Sequence, residues 1–235
     1  RERSIPPDDV IRMINEYVSR GYKEVVLTGT QLGTYGFDIP DTTLSDLLTR
    51  ILSESSLPRL RVSSLQPQEI SDSLLGIWKN PRMCPHFHLA LQSGSADVLV
   101  RMRRRYTVSQ YRRTVQLIRE NVPEASITTD VIVGFPGETY SEFMETYKLC
   151  EEMEFAAIHV FPYSQRPGTS SAYFANQVDS SDKTIRVKRL ISVGDRCSDM
   201  FRERLLGSIR PVLWEEKRRD LDGRGNWFGL TDNYI

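Results

Sequence analysis

The sequence has 235 residues, and its 31 Lys and Arg residues balance 31 Asp and Glu residues to a formal net charge of zero. This balance excludes a histone-like polycation, and 39% hydrophobic with 26% charged residues argues against disordered and fibrous classes. No apolar run approaches the roughly 18 residues that span a bilayer, and the first residues do not resemble a signal peptide. We expect a cytoplasmic protein without a membrane partner, built as one α/β barrel or as one domain with a small appendage.

The predicted elements alternate regularly over the first two thirds of the chain. Helices are predicted at residues 6–20, 42–54, 70–79, 108–121 and 141–153, and the strands that follow them at 24–30, 60–64, 86–92, 125–133 and 157–163. This order predicts a parallel sheet with crossover helices, either open or curled into a barrel.

The two ends of the chain depart from this alternation. The series opens with a helix, so we expect that a preceding strand has been lost. After Tyr163 a long charged helix is predicted at 181–206, followed by strand-like segments at 209–213 and 227–234. This tail is too short to close a β domain. We therefore expect a chain truncated at both ends, with a barrel core at 1–180, a linking helix at 181–207 and the start of a β domain at 208–235.

Each predicted strand has one polar face and one apolar face, because alternate side chains of a strand point to opposite sides. The polar faces carry Thr28, Thr30, Arg61, Ser63, His86, His88, Gln92, Ser126, Thr128, Asp130, His159 and Tyr163. A doubly wound sheet is buried on both sides, whereas a barrel that holds a polar ligand keeps a polar interior, so the pattern favours the barrel. The alternative is that these polar residues only bond one another in a closed core.

The predicted strands end in loops of small residues, such as GTQLGTYG from Gly29 and GFPGE from Gly134. Parallel α/β proteins place their sites at these carboxyl ends, where small residues let the backbone approach a ligand. No nucleophile triad, P-loop or dinucleotide-binding glycine motif is recognisable. The pair His86-x-His88 lacks a cysteine or a placed carboxylate, so no metal site is predicted.

Three cysteines, Cys84, Cys150 and Cys197, are too widely spaced for a disulfide framework or a metal knuckle. We expect buried, reduced thiols.

Five strings together resemble the radical S-adenosylmethionine (SAM) methylthiotransferases, which attach a methylthio group to tRNA bases or to a ribosomal protein. The strings are LTGTQLGTYG from Leu27, LQSGSADVLVRMRRRYT from Leu91, TTDVIVGFPGET from Thr128, HVFPYSQRPGT from His159 and GLTDNYI from Gly229. Within the family, the sequence is most similar to the branch that modifies N6-threonylcarbamoyladenosine at position 37 of tRNA. Isopentenyladenosine at the same position and a ribosomal protein remain alternative substrates.

The resemblance implies an incomplete six-stranded barrel with SAM at the carboxyl ends of the strands. It also implies two [4Fe-4S] clusters, one of them held by a Cys-x3-Cys-x2-Cys loop after the first strand. This sequence contains no such cysteine triplet. In the family, an electron from this cluster cleaves SAM reductively to a 5′-deoxyadenosyl radical, which removes hydrogen from carbon 2 of the adenine so that sulfur can be inserted. We therefore expect the 235-residue chain to be inactive by itself.

The site residues are assigned from their place on the polar faces and loops. Gly29 and Thr30 are assigned to the methionine end of SAM. The residues Ser63, Ser64 and Gln92 are assigned to the ribose or carboxylate, and Asp130, Val133 and Gly134 to the adenosyl part.

A basic patch follows the third loop of the predicted barrel. It consists of Arg101, Arg103, Arg104 and Arg105, with Tyr106 beside them and Arg112 and Arg113 beyond. Guanidinium groups pair with phosphates and stack on unpaired bases, so we expect this patch to contact a tRNA anticodon loop. The alternative is a solvated helix face. Arg166, in a rim loop, is expected to meet a substrate carboxylate or phosphate.

The resemblance also implies an electron donor such as flavodoxin or ferredoxin, and we expect a monomer. Two other interpretations stay open. One is a cluster-free module that binds RNA or SAM. The other is an unrelated barrel enzyme that uses His88 or Asp130 as acid or base.

Overall fold

The computed structural model describes residues 3–219 and 225–235. The chain forms two compact units. The first contains the residues up to Phe87, together with Leu117–Ser126 and Gly207–Ile235, and the second contains His88–Gln116 and Ile127–Leu206.

The first unit is built on a parallel pair of strands. Helix α1 spans Pro7–Ser19 and begins with a proline and two acidic residues, which suit the amino end of a helix. Strand β1, Glu24–Leu27, pairs in register with β2, Arg59–Val62. Between them lies α2, Leu44–Glu54, which Thr43 caps and which packs against α1.

The rest of the first unit carries a short helix and a hairpin. Helix α3, Asp72–Leu75, continues as a 3₁₀ turn at Gly76–Lys79. Strands β6, Val212–Arg219, and β7, Gly225–Thr231, pair antiparallel.

The second unit is organised around strands β4 and β5. Strand β4, Ser126–Val133, pairs in parallel with β5, Ala157–Pro162, and places Asp130 opposite His159. Strand β3, His86–His88, is the other neighbour of β4, and the Leu89 N–H donates to the Thr128 carbonyl. The helices of this unit are α4 at Ala96–Arg101, α6 at Tyr140–Met153, α7 at Ser180–Glu203 and the part of α5, Val108–Asn121, that precedes Leu117. Helix α7 packs against β5 and α6.

The alternation of helices and parallel strands is confirmed, but several boundaries were wrong. The strands predicted at 24–30 and 86–92 end at Leu27 and His88. Gln92 has a left-handed backbone (φ 63°), which a regular strand does not allow. The helix predicted at 70–79 tightens into a 3₁₀ turn at Gly76, a poor helix former. The segment 209–213 was placed too early, and α4 was not predicted.

The apolar faces predicted for β2, β3 and β4 are buried, whereas those of β1 (Val25, Leu27) and β5 (Ile158, Val160) are only partly buried. Leu60, Leu89, Leu91 and Val131 are fully buried. The three cysteines are free and buried, which confirms the prediction for their thiols. Among the helices that the structure describes, none is long and apolar enough to cross a membrane.

Candidate functional site

The second unit contains a cavity of about 690 Å³ beside the carboxyl-terminal halves of β4 and β5. Cavities of this size hold small-molecule ligands in many proteins. Its wall has a polar floor, an aromatic side and a basic rim. Six residues that were predicted from the sequence to bind either SAM or the substrate line this one cavity: Gln92, Asp130, Arg101, Arg103, Arg104 and Arg166.

The polar floor is Gln92 and Asp130, held together by the backbone. The Gln92 N–H donates to the Asp130 carbonyl at 2.8 Å, and the Gln92 carbonyl accepts from the Ile132 N–H at 2.9 Å. Gln92 keeps its left-handed conformation at this point, and such strained residues are concentrated at functional sites. A hydrogen bond with His88 lowers the pKa of the Asp130 carboxyl, which is therefore ionised near neutral pH.

The aromatic side was missed by the sequence analysis, apart from Tyr163. Phe135 packs edge-on against Tyr163 at 5.3 Å between ring centroids and against Phe174 at 6.2 Å, and Phe161 is half exposed beside them. Among the residues described, the buried Tyr163 hydroxyl has no hydrogen-bond partner. Aromatic faces next to polar groups suit a ligand that combines a flat ring with hydroxyl or carboxylate groups.

The basic rim divides into one paired and three unpaired arginines. Arg101 donates to the Glu142 carboxylate at 2.9 Å and is thus partly neutralised. Within the described residues, Arg103, Arg104 and Arg166 form no ion pair, and all three are exposed. Arg105 is exposed as well but lies outside the cavity wall.

The aromatic neighbour of this patch was wrongly predicted. Tyr106 is 4% exposed, and its hydroxyl donates to the carbonyls of Ala90 and Leu91. Its ring therefore belongs to the core. Arg112, further along, is ion-paired with Glu152.

The GFPGE loop, Gly134–Glu138, is stabilised by the carboxylate of its own Glu138. The Gly134 N–H donates to the Glu138 carboxylate at 2.7 Å, and Glu138 is ion-paired with the buried Arg186 of α7. Burial raises the pKa of the Glu138 carboxyl. Val133 is fully buried, and neither it nor Gly134 lines the cavity. Their assignment to the adenosyl part stays a prediction, limited to backbone contacts.

The remaining predicted SAM residues lie in the first unit. Gly29 and Thr30 line a smaller cavity of about 230 Å³. The Ser63 N–H donates to the Leu27 carbonyl, and Ser64 has a left-handed backbone (φ 64°). Their role in binding stays a prediction.

Two further polar-face residues of the first unit belong to a closed cluster. The Glu24 carboxylate accepts from Arg59 at 2.7 Å and from Arg61 at 2.8 Å, and these side chains are nearly buried. The Tyr234 ring lies 4.7 Å from the Arg61 guanidinium and stacks on the His86 ring. For Arg61 and His86, the closed-core alternative therefore describes the structure.

The cysteines that the structure describes do not suit an iron–sulfur cluster, because a cluster is held by several thiolates that converge on it. Cys84 lies in the first unit, and burial raises the pKa of its thiol to about 11. Cys150 and Cys197 lie in the second unit, where burial also raises the pKa of both thiols. No step of the chemistry is assigned to these three residues.

Residues 1–150 match the family model described as the radical SAM superfamily. The chain belongs to the radical SAM superfamily. The predicted α/β, TIM-barrel-like fold class is confirmed by this match and by solved structures. Coproporphyrinogen III oxidase (HemN) from Escherichia coli, a radical SAM enzyme, has a TM-score of 0.61 at 15% identity, over 81% of this chain and 46% of that one. TsrM from Kitasatospora setae, a radical SAM methyltransferase, has a TM-score of 0.57 at 15% identity, over 71% of this chain and 33% of that one.

Curated relatives confirm the resemblance to methylthiotransferases. The threonylcarbamoyladenosine tRNA methylthiotransferase MtaB of Bacillus subtilis is 37% identical, over 99% of this chain and 52% of the relative. MtaB of Thermotoga maritima is 42% identical, over 92% of this chain and 50% of the relative. The tRNA-2-methylthio-N(6)-dimethylallyladenosine synthase of Thermoanaerobacter sp. is 39% identical, over 92% of this chain and 46% of the relative. The chain thus spans about half the length of these relatives.

Proposed function

We propose that this chain is the SAM-binding and tRNA-binding core of a radical SAM methylthiotransferase that acts on N6-threonylcarbamoyladenosine at position 37 of tRNA. The observation that carries the proposal is the cavity of the second unit, where Gln92 and Asp130 share one space with three unpaired arginines. The names of the relatives from Bacillus subtilis and Thermotoga maritima support the choice of nucleoside.

The cavity has the groups that SAM requires. The aromatic side, Phe135, Phe161 and Phe174, offers faces for an adenine ring. The ionised Asp130 accepts from ribose hydroxyls, and Gln92 offers an amide to a polar group of the ligand. When bound with its cluster, SAM supplies the radical chemistry, and these residues orient it and keep water from it.

The basic rim faces the same cavity and supports an RNA substrate. Arg103, Arg104 and Arg166 offer guanidinium groups that pair with phosphates or stack on unpaired bases. The left-handed backbone of Arg103 (φ 55°) turns the chain sharply within this rim. An anticodon loop, with its splayed bases, is the kind of RNA that such a rim fits.

Several finer features belong to the same proposal. We propose an incomplete six-stranded barrel, and the parallel pairs β1–β2 and β4–β5 support it. We also propose a cytoplasmic monomer that receives electrons from a flavodoxin or ferredoxin. A second candidate substrate, the dimethylallyl (isopentenyl) adenosine at position 37, is supported by the relative from Thermoanaerobacter sp..

The test is to incubate the full-length protein, with its clusters reconstituted, with SAM, reductant and tRNA that carries either modified adenosine. Digestion and mass spectrometry of the nucleosides then identify the product. We expect the methylthio derivative of threonylcarbamoyladenosine. The methylthio derivative of dimethylallyladenosine alone would establish the second candidate. The absence of both products would refute the proposal of a tRNA methylthiotransferase.

A further inference from the structure

A row of two histidines and one aspartate crosses the sheet of the second unit, and the proposed function uses only its aspartate. His88 ends β3, Asp130 lies in β4 and His159 lies in β5. Asp130 and His159 are opposite each other in the parallel register, and β4 lies between the other two strands. Three adjacent strands thus contribute one metal-ligating side chain each.

The three side chains converge. One ring nitrogen from each histidine and one carboxylate oxygen all lie within 4.8 Å of one another. The distance from His88 Nε2 to Asp130 Oδ2 is 3.3 Å. A typical N–H···O hydrogen bond is shorter, at about 2.9–3.0 Å. Two ligands at about 2.0–2.1 Å from a tetrahedral ion are about 3.3–3.4 Å apart, so the spacing of this pair suits coordination.

The surroundings orient the ligands as metal sites do. His88 Nδ1 is hydrogen-bonded to the Thr128 hydroxyl at 3.0 Å, which leaves Nε2 directed at Asp130. Outer hydrogen bonds of this kind fix the ring of a metal-ligating histidine. The side chains of His88 and Asp130 are 21% and 30% exposed, so an ion has access.

The position of His159 distinguishes a metal site from a simple hydrogen bond between His88 and Asp130. A His88–Asp130 pair needs no third member, and among the described residues the His159 ring makes no hydrogen bond. Its ring centroid lies 6.1 Å from that of His88, near enough to share an ion through ring nitrogens but not in stacking contact.

We propose that His88, Asp130 and His159 form a binding site for a divalent transition-metal ion of the zinc class. Imidazole nitrogens and a carboxylate oxygen are the ligands that such ions take from proteins. Three protein ligands leave one position open. Since Asp130 also lines the cavity, that open position is accessible to an oxygen, nitrogen or sulfur atom of a cavity ligand. The proposal does not depend on the proposed function.

The test uses the chelator-treated 235-residue chain, titrated with Zn²⁺ by isothermal calorimetry and with Co²⁺ by visible absorption. We expect one ion per chain and Co²⁺ bands that saturate at the same stoichiometry. His159→Ala and Asp130→Asn are each expected to weaken Zn²⁺ binding by more than about 10-fold, since even outer-shell losses cost about 10–100-fold. Thr128→Val is expected to weaken it by about 10-fold.

Asp97→Asn is the matched control, because Asp97 is exposed and outside the row, and it should leave the affinity unchanged. His159 is also exposed, so its replacement is expected to leave the fold intact, and circular dichroism checks this for each variant. Absence of saturable one-to-one binding, or equal affinity in the wild type and His159→Ala, would overturn the proposal.

Discussion

Polar residues of the strands have different surroundings in the two units. In the first unit, Glu24 is bound by Arg59 and Arg61, and the Tyr234 ring covers the second guanidinium. In the second unit, Gln92 and Asp130 lie on the wall of a cavity, with unpaired arginines at its rim. The same sequence pattern thus gives a neutralised core in one place and a candidate ligand site in the other, and the availability of a partner charge decides between them.

The largest effect is expected from the closed cluster. Glu24→Gln leaves two nearly buried guanidinium groups without their anion, and breaking a buried ion pair costs about 3–5 kcal/mol. We expect a loss of this size in the free energy of unfolding, measured with urea. Glu216→Gln is the control, because its ion pair with Arg218 is exposed and should contribute at most about 1 kcal/mol. Equal losses in both variants would mean that the cluster is not closed.

A smaller loss is expected when the ring over the cluster is removed. Tyr234→Leu removes the stacking on His86 and the contact with the Arg61 guanidinium, and because the ring is 46% exposed this cation–π contact contributes about 0.5–1 kcal/mol. The urea midpoint should fall accordingly. Tyr173→Leu, at a ring that is 81% exposed, should leave it unchanged. A Tyr234 variant as stable as the wild type would contradict the contribution of this ring.

Removing unpaired arginines from the basic rim should weaken RNA binding without lowering the free energy of unfolding. Arg103→Ala with Arg104→Ala is expected to change the free energy of unfolding by no more than about 0.5 kcal/mol per site. For a single-stranded RNA loop, log affinity falls with log salt, and each phosphate that the variant no longer neutralises should make this negative slope shallower by about 0.7. Filter binding of tRNA at several salt concentrations measures this slope.

The matched control for this pair carries the same charge loss on α7. Lys188→Ala with Arg202→Ala removes two exposed cations outside the cavity wall. If the control makes the salt slope as shallow as the rim variant does, RNA binding is not localised at the rim, and the rim has no special role.

The smallest effect concerns the thiols, which lie in the packed parts of both units. Burial raises the pKa of Cys84 to about 11, so little reactive thiolate forms at pH 8. We expect slow labelling by a thiol reagent in the folded chain and rapid labelling of all three cysteines in denaturant. Rapid labelling of the folded chain would contradict the packing around them.

The order of elements was predictable from the sequence, because hydrophobic periodicity and the turn residues act locally. The ends of the strands were less predictable. Gln92 has a left-handed backbone conformation, and nothing about a glutamine residue in the sequence indicates one. The grouping of Gln92, Asp130 and Arg166 was partly predictable, since carboxyl ends of parallel strands meet at one edge.

Pairing partners that lie far apart in the sequence were not predictable. Glu24 meets Arg61 only through the register of β1 and β2, and Arg101 meets Glu142 across 41 positions. Sequence patterning therefore separated polar faces from apolar ones but did not separate neutralised charges from available ones. Phe174 carried no signal at all, whereas Phe135 and Phe161 lay within the resembling strings.

Binding of SAM in the cavity of the second unit is tested by the affinity for SAM, measured by equilibrium dialysis in the full-length protein with its clusters. Gln92→Leu removes a polar group from the wall, and the loss of one hydrogen bond of about 1.4 kcal/mol weakens binding about 10-fold. Gln68→Leu, at an exposed position outside the cavity, should bind SAM as the wild type does. Wild-type affinity in Gln92→Leu, with the fold intact by circular dichroism, would contradict the assignment of this cavity to SAM.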